Sequence, residues 1–327
     1  MLAFYADHYV LPLPEGHRFP IAKYTMLREH LIREMPALQV VPAPSVSDAE
    51  LALAHSVDYV AALVTGTLAP GMMREIGLPW SAQMVERSRR SVGATACAVH
   101  HAQNQGVAIS LAGGTHHAFA SRGSGFCVFN DVAVAIRLAQ AQPDQSGLKV
   151  AVIDLDVHQG NGTASIFERD TSVYTLSLHG EKNFPFRKER GDLDIGLPDG
   201  CGDADYLCAL DCALAKLSQD FAPDLVIYLA GADPHEGDRL GRLKLSYAGL
   251  QARDERVMRW CWQRGVPFAM VMAGGYGVEI ESTVKVHANS CQLAWRYWAL
   301  WQSRQPPHEV AGRMVNHEFK QSGSTSG

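Results

Sequence analysis

"VAVIDLDVHQGNG", residues 150–162, begins as an apolar run and then carries Asp154, Asp156 and His158 into a pair of glycines. The run is short, rich in β-branched residues and free of polar alternation up to Asp154, the pattern of a parallel strand buried on both faces. Five other runs share it: "LAFYA" (2–6), "GVAISLA" (106–112), "SVYTLSL" (172–178), "DLVIYLA" (224–230) and "PFAMVMA" (267–273). Between them, segments 81–104, 129–141, 203–220 and 246–264 carry apolar residues at three- and four-residue spacing, as helices do. Asp203 and Ser246 stand where the N-caps of two of these helices belong. The alternation predicts an α/β fold, a single domain with a mainly parallel central sheet and helices on both faces. No Pro/Ser-rich linker or charge block divides residues 1–302, which are expected to form that domain, and 303–327, ending in "QSGSTSG", are expected to form a flexible tail.

The 327 residues are 47% hydrophobic with a formal charge of -5, and the pI is near 6.3. This balance supplies a sizeable core and gives no bulk attraction for nucleic acid or an anionic membrane. No uncharged stretch approaches the roughly 20 residues that a membrane helix needs, and the first 15 residues lack a basic region followed by a long apolar one. The seven cysteines form no C-x-x-C pair and read as reduced thiols. A cytoplasmic protein with neither nucleic acid nor membrane as partner is expected, and both a monomer and an oligomer are open.

Ligands of such sheets bind beyond the carboxyl ends of the strands. The residues found there are Asp7 and His8, "GGTHH" (113–117), "DVH" (156–158), His179, "GAD" (231–233) and "GGY" (274–276). On a continued strand Asp154, Asp156 and His158 share one face but spread over about 13 Å, too far for all three to hold one ion. Two neighbours can hold it if Asp233 supplies a third ligand, which makes an Asp, His, Asp site with room for water and substrate. A lone carboxylate at a loop is more often a cap or an ion-pair partner; three metal-competent groups on neighbouring strand ends point to a metal. His116 and His117 follow two glycines that permit a tight turn, and adjacent imidazoles there can transfer protons, whereas His100 and His101 sit on a helix. Tyr276, in "MAGGYG", can aim its hydroxyl into the same cleft as an oxyanion donor. Gly125 and Phe126, in "GSGFCVFND", offer a flat apolar channel wall.

In this order and along residues 1 to about 300, "GHRFPIAKY", "HSVDYV", "GLPWS", "GGTHHA", "GFCVFND", "IDLDVHQGNG", "GADPHEGD" and "AGGYG" resemble the histone deacetylase family, particularly its bacterial and class IV-like members. The resemblance implies an arginase-like fold and metal-dependent removal of an acyl group from an amine, usually a lysine side chain. It implies zinc, or ferrous iron, on Asp156, His158 and Asp233, with His116 and His117 as the histidine pair and Tyr276 polarising the acyl carbonyl. Asp154 would orient His116. Its backbone, with those of Asp156, His158 and Leu178 and the Ser177 side chain, resembles the family's monovalent-cation site, for K+. Phe126 and Phe184 would line the acyl-lysine tunnel beside Gly125. Two positions depart from the family pattern: Asn161 stands where many members have the Asp that partners the second histidine, and Gln159 where a further histidine often follows the ligand.

Zinc chemistry would activate water and polarise the carbonyl, with His117 taking the water proton and His116 contributing electrostatically. The expected partner is an acyl-lysine peptide or protein, or a small acylated amine such as an acetylated polyamine. An arginase-like ureohydrolase needs a second metal and a D-x-H-x-D run, whose last position here is Gly160; Glu236 is the one spare carboxylate nearby. A non-catalytic acyl-ligand-binding protein would have no use for an oxyanion donor at Tyr276.

Overall fold

The computed structural model describes residues 1–8 and 11–304. The expected tail over 303–327 therefore lies, from residue 305 onward, outside the described residues. The first half of the chain runs β1 (Leu2–Tyr5), α1 (Ala22–Glu34), β2 (Gln39–Pro42), α2 (Asp48–Leu51), α3 (Val57–Thr65), α4 (Pro70–Ile76), α5 (Ala82–Gln105), β3 (Val107–Ser110) and α6 (Asp131–Gln140). The second half runs β4 (Val150–Asp154), α7 (Asn161–Phe167), β5 (Val173–Gly180), β6 (Leu193–Leu197), α8 (Asp203–Asp220), β7 (Leu225–Leu229), α9 (Tyr247–Arg264), β8 (Phe268–Val271) and α10 (Ile280–Gln302).

The strands form one eight-stranded sheet in the order β2-β1-β3-β8-β7-β4-β5-β6, and every pairing in it is parallel. All five residues of β4 are buried. Val150 and Val152 join an apolar cluster with α5 and α6, while Ala151 and Ile153 join the larger one with α8, α9 and α10 on the other face. Alternate side chains thus enter two cores, which is why the run shows no polar alternation. A third cluster, from Leu51, Leu63, Ile76, Met84 and Phe129, sits under α2, α3 and α4 and flanks the functional end of the sheet.

All six apolar runs are strands. The two strands without such a run, β2 and β6, are the sheet edges, and their burial alternates or is partial, so their sequences are mixed. Ser246 caps α9 by accepting from the Gly249 N–H. The expected cap of α8 is corrected: Gly202 is the N-cap, and Asp203 is the first helical residue. Its carboxylate instead accepts from the Ser246 N–H and hydroxyl, at 2.9 and 2.6 Å, tying the starts of α8 and α9 together. Among the described residues no helix is long and apolar enough to cross a membrane, and all seven cysteines are free.

Candidate active site

β3, β8, β7 and β4 are consecutive in the sheet, so the loops after their carboxyl ends meet over one spot. The loop after β4 departs from the extended geometry expected of it. β4 stops at Asp154 and residues 155–160 bend, which draws Asp156 and His158 together instead of spreading them along a face. His158 Nδ1 lies 2.9 Å from Asp156 Oδ1 and 3.3 Å from Oδ2 of Asp233, which arrives from the loop after β7. Asp156, His158 and Asp233 are buried, and their ligand-type atoms all lie within 4.8 Å of one another.

Backbone donors fix both carboxylates. The N–H of Gly274, in the loop after β8, donates to Asp156 Oδ2 at 2.7 Å, and the N–H of Val157 donates to Asp233 Oδ1 at 2.9 Å. Asp233 Oδ2 is left buried without a hydrogen-bond partner, an acceptor that only a cation or a further donor can satisfy. Gly274 has to be glycine: a Cβ there falls 1.9 Å from Asp233 Oδ2 and 2.5 Å from Asp156 Oδ2. Burial opposes charge on His158, but Asp156 and Asp233 outweigh it and lift its pKa to about 10. Burial and the neighbouring Asp156 lift Asp233 to about 7. Two buried carboxylates and an imidazole with converging ligand atoms fit a divalent ion, which would take the place of the His158 proton.

Beside this cluster lie the two histidines. Asp131, at the start of α6, accepts from the N–H groups of Gly114 and Thr115 and from the Thr115 hydroxyl, which folds the loop after β3 so that His116 and His117 point into the cleft. Their rings are 4.2 Å apart. His116 Nδ1 donates to Asp154 Oδ2 at 2.7 Å, and His117 Nδ1 donates to Asn161 Oδ1, at the first position of α7, also at 2.7 Å. Burial disfavours charge on both. For His116 the charges of Asp154 and Asp156 prevail and raise its pKa to about 9. His117 faces a neutral amide, and burial with the charges of His116 and His158 holds it well below 6.5.

Tyr276 is buried in the loop after β8, its ring 6.5 Å from that of His158 and 6.2 Å from that of Phe126. Burial, then nearby Tyr24 and Asp156, push its pKa well above 10, so it keeps its proton. Its N–H donates to Asp238 at 2.6 Å, and Lys23 Nζ donates to the carbonyls of Ala273 and Gly275 in the same turn. Phe184 stacks edge-on against His117 at 4.9 Å. A Cβ on Gly125 would fall 2.7 Å from His117 Cδ2 and 3.0 Å from Phe184, so the absent side chain lets this wall close on the histidine. Gly125, Phe126, Phe184, Tyr276, both histidines, Asp156, His158 and Asn161 line one cavity of about 910 Å³.

Not every strand-end residue joins. Asp7, just after β1, pairs with Arg28 at 2.9 Å and stands outside the ligand cluster. His179 is a residue of β5, its Nδ1 2.9 Å from the Ser177 hydroxyl. Glu236 is exposed and outside the ligand cluster, and at Gly160 a Cβ would fall 2.4 Å from Asp154 Oδ2, so the carboxylate of a two-metal D-x-H-x-D run has no room. Asp154 and Ser177 are register partners on β4 and β5. Gln159, where the family pattern often has histidine, is buried and binds Glu189 of the loop after β5 and Asp194 of β6.

Several supporting residues escaped the sequence reading. Lys23 and Asp238 hold the Tyr276 turn, and Asp131 holds the histidine loop. Arg253, on α9 and fully buried, donates from Nη1 to the carbonyls of Gly231 at 2.6 Å and Leu155 at 3.2 Å, and pairs with Asp254 at 2.8 Å. It thus ties the loop of Asp156 to the loop of Asp233 from below. Of these, Lys23, Asp131 and Asp238 lay within quoted motifs, "GHRFPIAKY", "GFCVFND" and "GADPHEGD", without a role being read for them, and Arg253 lay within none.

The family model described as histone deacetylase domain matches residues 17–291. An uncharacterized protein of Picosynechococcus sp. is 46% identical over 288 residues, 87% of this chain and 95% of that one. Histone deacetylase 2 of Arabidopsis thaliana is 32% identical over 287 residues, 84% of this chain and 73% of that one. An HDAC homolog solved in complex with SAHA has a TM-score of 0.78 at 24% identity, over 92% of this chain and 88% of that one. The HDAC homolog from Aquifex aeolicus has a TM-score of 0.76 at 23% identity, over 94% and 84%; at such identity these structures bear on the fold alone.

Proposed function

The chain belongs to the histone deacetylase family, whose domain performs hydrolytic deacetylation, and from this premise we propose that it is a divalent-metal-dependent amidohydrolase removing an acyl group from a lysine side chain. The observation that carries the proposal is the convergence of Asp156, His158 and Asp233, with one carboxylate oxygen unsatisfied, beside two histidines, one bound to a carboxylate and the other to an amide.

Asp156, His158 and Asp233 would hold the ion, zinc in the first instance and ferrous iron in the second. When bound, a divalent ion polarises the acyl carbonyl and makes water a better nucleophile. The remaining work falls to the protein. His117, with Nδ1 committed to Asn161, presents the lone pair of Nε2, takes the proton of the attacking water and returns it to the departing amine. His116, an imidazolium beside Asp154, supplies fixed positive charge to the anionic intermediate. Tyr276 donates its hydroxyl proton in a hydrogen bond to the oxyanion, in a position kept by Lys23 and Asp238. Gly125, Phe126 and Phe184 would enclose the lysine stem, whose methylenes need an apolar wall. The residues assigned to a K+ site are Asp154 at the end of β4, Asp156 and His158 in the loop after it, and Ser177 and Leu178 on the neighbouring β5, and they belong to this reading as support for the ligand loop. The free thiols fit a reducing compartment, the cytoplasm.

The test is a metal count with an acetyl-lysine peptide assay. The purified protein should bind one transition-metal ion per chain and hydrolyse the peptide, a chelator should abolish turnover, and Asp156→Ala should lose metal and activity together. Full activity in metal-free protein refutes the proposal, and two ions per chain would favour the ureohydrolase chemistry.

A further inference from the structure

The chain as a whole is negative, at -5, yet the mouth of its cavity is positive. Resting on the deacylase reading above, we infer that this mouth selects acyl-lysines flanked by acidic residues in a peptide and rejects polycationic substrates. Arg18, Arg122, Lys182 and Arg187 line the cavity and are exposed. None of the four has a carboxylate partner among the described residues. Arg122 lies over the Phe119 ring at 3.9 Å, and a fifth cation, Arg242, is already paired with Asp199 at 3.0 Å. Against them the mouth sets one unpaired exposed carboxylate, Glu75.

Lys182 and Arg187 stand on a fixed frame. The loop that bears Lys182 and Arg187 is fastened at its far end by Gln159, which donates to the Glu189 carbonyl and accepts from the Glu189 N–H. Within the loop, Lys188 Nζ binds the carbonyls of Asn183 and Pro185, and Asn183 Nδ2 donates to the Leu240 carbonyl. Phe186, 86% exposed, sits between the two cations in sequence, and Phe184 of the same loop touches His117. A substrate threading its acyl-lysine past Phe184 therefore places its flanking residues against Lys182, Phe186 and Arg187. Carboxylates there gain attraction and faster encounter, whereas the protonated amines of a polyamine or of arginine flanks meet like charge. The overall negative charge speaks against a nucleic acid as the occupant.

Three acetyl-lysine peptides of one core, with glutamate, serine or arginine flanks, and an acetylated polyamine give the test, read as kcat/KM and, with labelled peptides, as Kd by fluorescence anisotropy. The acidic peptide should exceed the arginine-flanked one by about tenfold at low salt, the scale of a few exposed charge pairs, and most of the difference should vanish at about 0.5 M salt. Lys182→Glu combined with Arg187→Glu should reverse the order. Equal values for the three peptides, a preference for the basic peptide or polyamine, or readier displacement of the acidic peptide by a single-stranded oligonucleotide than by an unlabelled acidic peptide overturns the inference. Absence of turnover of every substrate by metal-loaded protein refutes the deacylase reading instead, and the order of Kd values still decides the charge preference.

Discussion

Replacing Arg253 with methionine keeps an unbranched apolar stem and removes the guanidinium that joins the two ligand loops. Two buried carbonyls, Leu155 and Gly231, lose their side-chain donor, and Asp254 is left as a buried carboxylate held only by the hydroxyls of Tyr228 and Ser290. A broken buried ion pair costs about 3–5 kcal/mol, and each orphaned carbonyl about 1–3 kcal/mol. The three losses overlap in one network, so we expect roughly 4 kcal/mol for the whole, a large part of a typical folding stability and roughly 10 °C in Tm. Leu155 immediately precedes Asp156, and Gly231 lies two residues before Asp233, so metal affinity should also fall, by about 10–100-fold as for other supports of metal ligands.

The companion variant, Arg253→Met with Asp254→Asn, separates charge from clamp. The amide removes the stranded buried charge, so part of the stability should return, by about 1 kcal/mol or more, while metal affinity stays low because nothing again joins the two carbonyls. Thermal denaturation of the metal-free proteins followed by circular dichroism gives the first quantity, and competition with a chromogenic chelator gives the second. A single variant with unaltered Tm and unaltered metal competition refutes the clamp. A double variant that regains metal affinity along with stability shows that charge, and not the bridge between loops, was what mattered.

Other outcomes follow from the histidines and the tyrosine. Asn161→Asp puts a carboxylate where His117 now meets an amide; an opposite charge at this range raises a histidine pKa by roughly 1–3 units. His117 must be neutral to accept a proton, so the acidic limb of kcat/KM, set below 6.5 in the native enzyme, should move to higher pH; an unmoved limb with metal retained removes the assigned base. His117→Ala should impair turnover more than His116→Ala, and the reverse order exchanges their roles. Tyr276→Phe should keep the metal and lower kcat by roughly 10²- to 10³-fold, the scale of one oxyanion donor, and a near-normal kcat would show that the hydroxyl faces something else.

The strands nearest the site were readable because burial on both faces leaves a continuous apolar run, and the candidate ligands were readable because they stand at the ends of those runs. β2 and β6 have no such run because each has one free edge. The bend after Asp154 was not readable either: extension puts Asp156 and His158 on one face, and hydrogen bonds from the N–H groups of Asp156 to Asp154, His158 to Asp156, Val157 to Asp233 and Gly274 to Asp156 fold them onto a common point. The supports escaped for a related reason. Lys23 reaches the Tyr276 turn across 250 residues of sequence, and Arg253 reaches Leu155 across 98, so no local pattern marks either.

What local sequence did carry was chemistry one residue at a time, and the histidine pair shows how far that goes. His116 and His117 are adjacent in the chain, both buried, and each donates from Nδ1 across 2.7 Å. Burial and partner distance are therefore alike, and the difference is charge: His116 meets Asp154 and Asp156, whereas His117 meets a neutral amide and the charges of His116 and His158. That difference outweighs burial on one side and reinforces it on the other, lifting His116 to about 9 and holding His117 well below 6.5. The two rings stand 4.2 Å apart in one cleft, one favouring the charged form and the other the neutral, which is the division of labour that the proposed amide hydrolysis would use.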